Sequence, residues 1–392
     1  YNNLAIIEET YGIDLSNLVR FAAQHYQANP AFMPVEDPNQ GPLTRAEKLK
    51  ISQVQQALAI MQFKLELTVI KRHPEFNMDH RLLLSQVDFK RRILHLNGQE
   101  YPLENTCFQL VDPDNPEALT AEESQIIADL LAAFTRCQKL RKHLTFLIDH
   151  GSMYRIYNQN LLFHGCLPVD AEGHFLTLTL ANQHYAGKQL LDFFDQQIRS
   201  SFNHPLHPAN LSTDLLWYLW TGPLSPLFGK NAMTTFERYF CPDPETHVET
   251  KNAYYSLRHD ADFIQQLLSE FNLSPETGHI LNGHTPVKKG HDPIMANRQM
   301  IVIDGGFSKA YHHTTGIGGF TLLYNSYGMQ LVTHQPFTTK ADAIANMKDI
   351  ISTRRVIDQV SQRQRVSQTN IGAAIKTEIE QLQTLLTIQP DH

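Results

Sequence analysis

The chain has 392 residues, of which 42% are hydrophobic, enough to bury one large core or two smaller ones. Its 33 Lys and Arg stand against 40 Asp and Glu, a net charge of −7 that argues against nonspecific nucleic-acid binding. No apolar run reaches the ~20 residues that cross a bilayer, and Cys107, Cys137, Cys166 and Cys241 lack the Cys-x-x-Cys spacing of a zinc site or a redox pair, so a soluble protein of the reducing cytoplasm is expected.

The chain opens on Tyr1 with no initiator Met and no charged-then-apolar leader, and is expected to lack its true beginning. A helix is predicted over residues 17–27, ended by the Pro-, Asp- and Asn-rich stretch 30–42. Thr44 with Glu47 three residues later reads as a capping box, and Ile51, Val54, Leu58, Met61 and Leu65 then recur at helical spacing. The period changes to two on either side of Asn97-Gly98, which predicts a β-hairpin over residues 92–103. Thr120 and Glu123 open a further capped helix whose stripe of Ile127, Leu130, Phe134, Leu140 and Leu144 is expected to be core. Strands at 160–163, 175–180, 278–281, 300–303, 320–324 and 329–333 alternate with helices near 188–199, 213–220 and 260–271.

The last helix, 371–386, carries Ile371, Ile375, Ile379, Leu382 and Leu386 on one face and is expected to dock on the body of the chain, or else on a second subunit in a homo-oligomer. The pattern thus predicts an α/β protein in four parts. They are a helical piece at 1–29, a mostly helical insertion with a hairpin at 30–148, the strand-rich part at 149–360 and a C-terminal helix at 361–392.

Chemistry concentrates at two strand ends, Leu161-Leu162-Phe163-His164-Gly165 and His279-Ile280-Leu281-Asn282-Gly283-His284. With 20 histidines in the chain, one His-Gly pair would be weak, but two imidazoles delivered the same way to a sheet edge make a candidate divalent-metal site. Cys166 reads as a small buried thiol or as a nucleophile. Trp217, Tyr218, Trp220 and Phe228 read as core packing, or else as a platform for stacking a sugar.

His164-Gly165, Asn282-Gly283-His284-Thr285-Pro286 and Ile303-Asp304-Gly305-Gly306 resemble the later blocks of the calcineurin-like metallophosphoesterases. The long stretches from Tyr157 through Pro168 and from Ser225 through Phe240, with Gly305-Gly306-Phe307-Ser308-Lys309-Ala310-Tyr311, more closely resemble the class III fructose-1,6-bisphosphatases of Gram-positive bacteria, and the likeness runs almost the length of the chain. That resemblance implies a four-layer α/β/β/α sandwich with a dinuclear Mn²⁺ centre at one edge. It also implies hydrolysis of the 1-phosphate of fructose 1,6-bisphosphate in gluconeogenesis, by a water that the two ions activate.

In such centres five blocks supply the ligands, and this chain matches only the last two. Asp-x-His, Gly-Asp-x-x-Asp-x-Gly and Gly-Asn-His-Asp/Glu are absent, and neither Asp79-His80 nor Asp149-His150-Gly151 replaces them. By resemblance His164 and His284 hold one ion, and no catalytic acid is assigned, because the histidine that serves as one belongs to an absent block. The chain alone is therefore expected to be weak or inactive. Asp304 is expected either to orient a metal-bound histidine or to cap the Gly305-Gly306 turn. Arg155, Lys230, Arg238, Lys288 and Lys309 are candidates for the second phosphate, or else solvated surface charges. A sugar bisphosphate is the expected substrate, nucleic acid and membrane are not expected partners, and a homo-oligomer stays open. The alternatives are a protein Ser/Thr phosphatase-like or dinucleoside-polyphosphate hydrolase, and a non-catalytic remnant acting as a binding module.

Overall fold

The computed structural model of the chain describes residues 4, 6–35, 42–204, 210–307, 311–336, 339–347 and 352–388. In its first part, helix α1 (Ser16–His25) packs along α2 (Arg45–Arg72), whose start is fixed as expected: the Thr44 hydroxyl accepts from Glu47 N at 3.2 Å and the Glu47 carboxylate accepts from Thr44 N at 2.7 Å. The α1–α2 connection satisfies its carbonyls through α2 side chains, Gln53 to Tyr26 O and Gln56 to Gln27 O, both at 2.7 Å. β1 (Val87–Asp88), β2 (Ile93–Leu96) and β3 (Gln99–Pro102) form a small antiparallel sheet, and β2 and β3 turn at Asn97-Gly98, both residues at positive φ.

Helix α3 (Ala121–Arg136) follows, capped by Thr120 and Glu123. The core here joins Ile13, Leu18 and Phe21 to Val54, Ile60, Phe63 and Leu94, and also takes in Phe236 and Phe240 from much later in the chain. Segments placed on either side of residue 30 by the sequence pattern therefore share one interior. At its centre Lys64, fully buried, donates to Leu110 O at 2.6 Å and to the fully buried Glu123 carboxylate at 2.7 Å.

The expected single helix from 121 into the 140s is broken at Cys137, and α4 (Gln138–His150) starts there. Phe134 on α3 and Leu144 on α4 are exposed, a correction to the reading of this stripe as core, and Phe146 and Leu147 beside it on α4 are exposed as well. Leu144 and Leu147 border an apolar cleft of about 610 Å³ between α4 and the helices described next, and His164 also lines it. Leu65, expected on the buried face of α2, is likewise exposed.

The second part is built on a five-stranded mixed sheet. β4 (Tyr154–Tyr157) turns back into β5 (Asn160–Phe163), the hairpin β6 (Leu178–Leu180) and β7 (Gln183–Tyr185) stands apart, and helices α5 (Gly187–Asn203), α6 (Leu211–Thr221), α7 (Thr235–Phe240), α8 (Tyr254–Leu257) and α9 (Ala261–Glu270) follow. β8 (His279–Asn282), β9 (Ile294–Met295) and β10 (Met300–Val302) complete the sheet in the order β4-β5-β8-β10-β9, with β5, β8 and β10 parallel. Short α10 (His312–Thr315) precedes the antiparallel sheet of β11 (Gly319–Asn325), β12 (Gly328–His334) and β13 (Ser352–Gln359); α11 (Lys340–Ala345) lies between β12 and β13, and α12 (Asn370–Ile388) comes last.

Side chains alternate across the five-stranded sheet with the period of two that strands impose. Leu161, Phe163, Ile280, Met300 and Val302 point into a core with Leu190, Phe194, Leu215 and Leu267 of the helices, whereas Leu281 and Ile301 face Phe320, Met329, Leu331 and Ile357 of the three-stranded sheet. Helices, sheet and second sheet thus stack as successive layers of a mixed α/β fold. No helix is long and apolar enough to cross a membrane among the described residues.

The C-terminal helix departs from expectation. Ile371, Ile375, Ile379, Leu382 and Leu386 are 45–71% exposed, so among the described residues the stripe does not dock on the body of the chain. The start of α12 is tied down where Asn370 and Asn158 exchange hydrogen bonds with each other's backbone.

Candidate metal centre and phosphate site

Parallel pairing of β5 with β8 sets Phe163 opposite Asn282, so the turns that follow the two strands leave the sheet at the same edge. His164 and His284 meet there, with Nε2 of His164 3.0 Å from Nδ1 of His284 and the rings nearly perpendicular at 78°. The glycines permit this approach. A Cβ on Gly165 would lie 2.1 Å from the Pro226 carbonyl oxygen, which accepts from Cys166 N at 2.8 Å, so only glycine lets the 222–229 loop close over the turn. Gly283 N donates to His164 O at 3.0 Å, locking the two turns together.

His284 itself sits at φ 66°, the left-handed region that a non-glycine residue occupies at a cost of about 1 kcal/mol or more. Burial first, and then the adjacent His164, hold its imidazole below the ordinary histidine value, while a hydrogen bond to the Phe228 carbonyl acts the other way. A ring whose N–H is held by a carbonyl presents its other nitrogen as a lone pair, the arrangement of a metal-ligating histidine.

Two nitrogens 3.0 Å apart match neighbouring ligands placed about 2.1 Å from one ion. Beside them Asn282, 1% exposed, donates through Nδ2 to the His164 and Gly165 carbonyls, yet its Oδ1 is buried with no partner. An orphaned acceptor next to two imidazoles fits one side of a cation site. It does not make a whole shell for a hard divalent ion, because among the described residues no carboxylate joins the two histidines as a third ligand. The one cluster of three ligand-type side chains there is Asp170, Glu172 and His174, in an exposed turn where Asp170 already accepts from the backbone N–H groups of Glu172 and His174.

The other expected residues fall as follows. Asp304 accepts from Gly306 N at 3.1 Å and so caps the turn, and its charge also reaches His284. Lys230 is ion-paired with Glu249 at 2.6 Å, and Arg238 donates to Thr234 Oγ1 at 3.1 Å and to His247 O at 2.9 Å. Arg155 is on the exposed face of the edge strand β4, Lys288 is exposed four residues beyond His284, and Lys309 lies outside the described residues. Cys166 is fully buried, and burial pushes its thiol up to about 12, which excludes the nucleophile reading. Tyr218 is core, packed between Phe76 and Phe194, whereas Trp220 is half exposed. Sequence reasoning passes over Asn282 as a possible donor, and over Lys251, Tyr255 and Arg258, which belong to no recognisable spacing.

A family model described as Firmicute fructose-1,6-bisphosphatase matches residues 1–390. A protein of Latilactobacillus sakei named fructose-1,6-bisphosphatase class 3 is 97% identical over 392 residues, covering 100% of this chain and 61% of that protein. Proteins of the same name from Lacticaseibacillus casei and Bacillus velezensis are 58% and 49% identical, each over 98% of this chain and 60% of its own length. The chain therefore spans about three-fifths of the length of these curated relatives. No solved structure matches.

Proposed function

We propose, since this chain belongs to the Firmicute fructose-1,6-bisphosphatase family, that it forms the histidine-bearing side of a cytoplasmic phosphomonoesterase that converts fructose 1,6-bisphosphate to fructose 6-phosphate and phosphate. The observation that carries this reading is the convergence of His164 and His284 at the carboxyl edge of β5 and β8. The family implies a divalent metal, and Mn²⁺ is the ion proposed for this edge, held here by the two imidazole nitrogens with Asn282 Oδ1 as a third donor.

When bound, such ions lower the pKa of a water and neutralise the phosphate oxygens around the breaking bond. The work of this chain's own residues is positional. The Phe228 carbonyl and the Gly165–Pro226 contact fix the ring directions, and burial favours the neutral form of His284. Carboxylate ligands are not among the donors gathered here, so full activity is proposed for a protein of the relatives' length and weak or no activity for these 392 residues alone.

The test is phosphate release with Mn²⁺ by a protein of that length carrying this chain's sequence, offered fructose 1,6-bisphosphate, a phosphoserine peptide and a dinucleoside polyphosphate. The expected result is turnover of the sugar bisphosphate with a kcat/KM at least about tenfold above either competitor, a preference of some 1.4 kcal/mol in the transition state. Turnover of only the peptide or the dinucleotide would replace this substrate with one of the other two.

A further inference from the structure

We propose that Lys251 and Arg258, with Lys288 near them, form the subsite for the phosphate that the reaction leaves in place, a cluster of cations organised around Tyr255 beside the histidine pair. The inference rests on the reading of that pair as a phosphomonoesterase site.

The cations converge from separate segments. Lys251 Nζ lies 5.3 Å and Arg258 Cζ 5.4 Å from the centroid of the Tyr255 ring, which therefore orders both through cation–π contact. The ring is in turn fastened to the catalytic edge. A Cβ on Gly229 would stand 2.6 Å from the Tyr255 hydroxyl and 3.1 Å from Cys166 Sγ, so the hydroxyl packs against the turn that follows His164. Lys230 bridges to Lys251 through the backbone, and Gly229 O accepts from Asn252 N at 3.0 Å, which joins the 228–230 loop, hydrogen-bonded to His284, to the Lys251 segment.

Among the described residues no carboxylate pairs with these cations. Lys230 has Glu249, and Arg355 has Asp292 at 2.9 Å. Lys251, Arg258 and Lys288 have no carboxylate within 4 Å among the described residues. Nε and Nη1 of Arg258 are buried without any hydrogen-bond partner. After burial, the influences that push the Lys251 ammonium below its ordinary value are the positive charges of Arg258, Lys288 and Lys230, with no anion to offset them. His259 is lowered in the same way by burial, Arg258 and His291.

A guanidinium partly withdrawn from water and surrounded by like charge is costly unless an anion enters. A phosphate dianion matches that demand, since Arg grips its oxygens in a planar fork and Lys adds a mobile point charge. Its distance from the reacting phosphate would be spanned by the sugar, so the subsite would select bisphosphates over monophosphates.

Fructose 6-phosphate carries the retained phosphate and can be titrated into this chain without metal, with binding followed by calorimetry. Arg258→Gln and Lys251→Gln are each expected to weaken it about 10- to 100-fold, and Arg258→Lys to recover part of the loss. Lys251 is exposed, so its variant keeps the fold even if Arg258→Gln does not. Absence of binding by the unmodified chain, or Kd values unchanged within twofold in Lys251→Gln and in folded Arg258→Gln, would overturn the subsite. In the longer, active protein the same variants are expected to lower the preference for fructose 1,6-bisphosphate over fructose 1-phosphate by a similar factor, acting through KM. Failure of that protein to hydrolyse either sugar would instead refute the phosphatase reading, whatever the titration shows.

Discussion

Lys64→Met is expected to destabilise the chain by about 3–5 kcal/mol, a large share of the ~5–15 kcal/mol that holds a typical domain together. The ammonium and the Glu123 carboxylate are both 0% exposed, and Lys64 is the only charge compensating that carboxylate in the pair. Once Lys64 is gone, Glu123 keeps a single hydrogen bond, from Thr120 N at 2.8 Å, while its other oxygen already has no partner. Protonating or hydrating that group inside the core costs most of what folding gains there. Urea unfolding checks the size of the loss. The double variant Lys64→Met, Glu123→Leu should recover part of it, because the uncompensated charge is gone although Leu110 O and Thr120 N lose these side-chain partners. If the single variant loses less than about 1 kcal/mol, the pair is wetter than this geometry implies.

His164→Ala and His284→Ala, each made in a protein of the relatives' length, are expected to lower kcat/KM for fructose 1,6-bisphosphate at least about 100-fold. Groups that only orient a metal ligand cost 10- to 100-fold when removed, so a ligand itself sets that as the floor. The two rings touch and their turns are locked by the Gly283–His164 hydrogen bond, so the losses should not add in the double variant. His174→Ala, in the exposed 170–174 turn, serves as the control and should leave the rate unchanged. The comparison is informative about stability too. His284 occupies φ 66°, a conformation asparagine tolerates better. His284→Asn should therefore keep stability within about 1 kcal/mol while losing activity, as expected where a strained backbone serves a ligand and not the fold.

Legibility in the sequence followed how local each determinant is. Thr44 with Glu47, Thr120 with Glu123 and Asn97-Gly98 each encode a helix start or a turn within four residues, and all three appear in the structure. The meeting of His164 and His284 was readable because each is set by its own strand and turn, and the parallel pairing of two such strands does the rest. Burial was less legible. The stripes on α3–α4 and α12 establish that a face is apolar, but periodicity carries no information on what covers it, and Phe134, Leu144 and Leu382 are left exposed.

Charges were harder still. Lys230 looked free in sequence because Glu249, which neutralises it, lies 19 residues on. Lys64 hid within an apolar helix face, its partner 59 residues away. Lys251, Tyr255 and Arg258 acquire meaning only through the 228–230 loop and the turn after β5, which no local pattern connects to them. The strand β13, rich in arginine at Arg354 and Arg355, was missed because its outward residues break the apolar run, and only its pairing with β12 defines it.

The account stands on one ion site at the edge of β5 and β8, and Mn²⁺ titrated into this chain labelled with ¹⁵N-histidine addresses it directly through paramagnetic broadening of imidazole signals. Selective loss of the His164 and His284 signals, at Mn²⁺ concentrations high enough to fill a weak half-site, is the predicted result. Broadening of His174 with His164 and His284 left sharp would place the ion in the Asp170–Glu172–His174 turn, and would contradict the assignment of the metal centre to the paired strand ends.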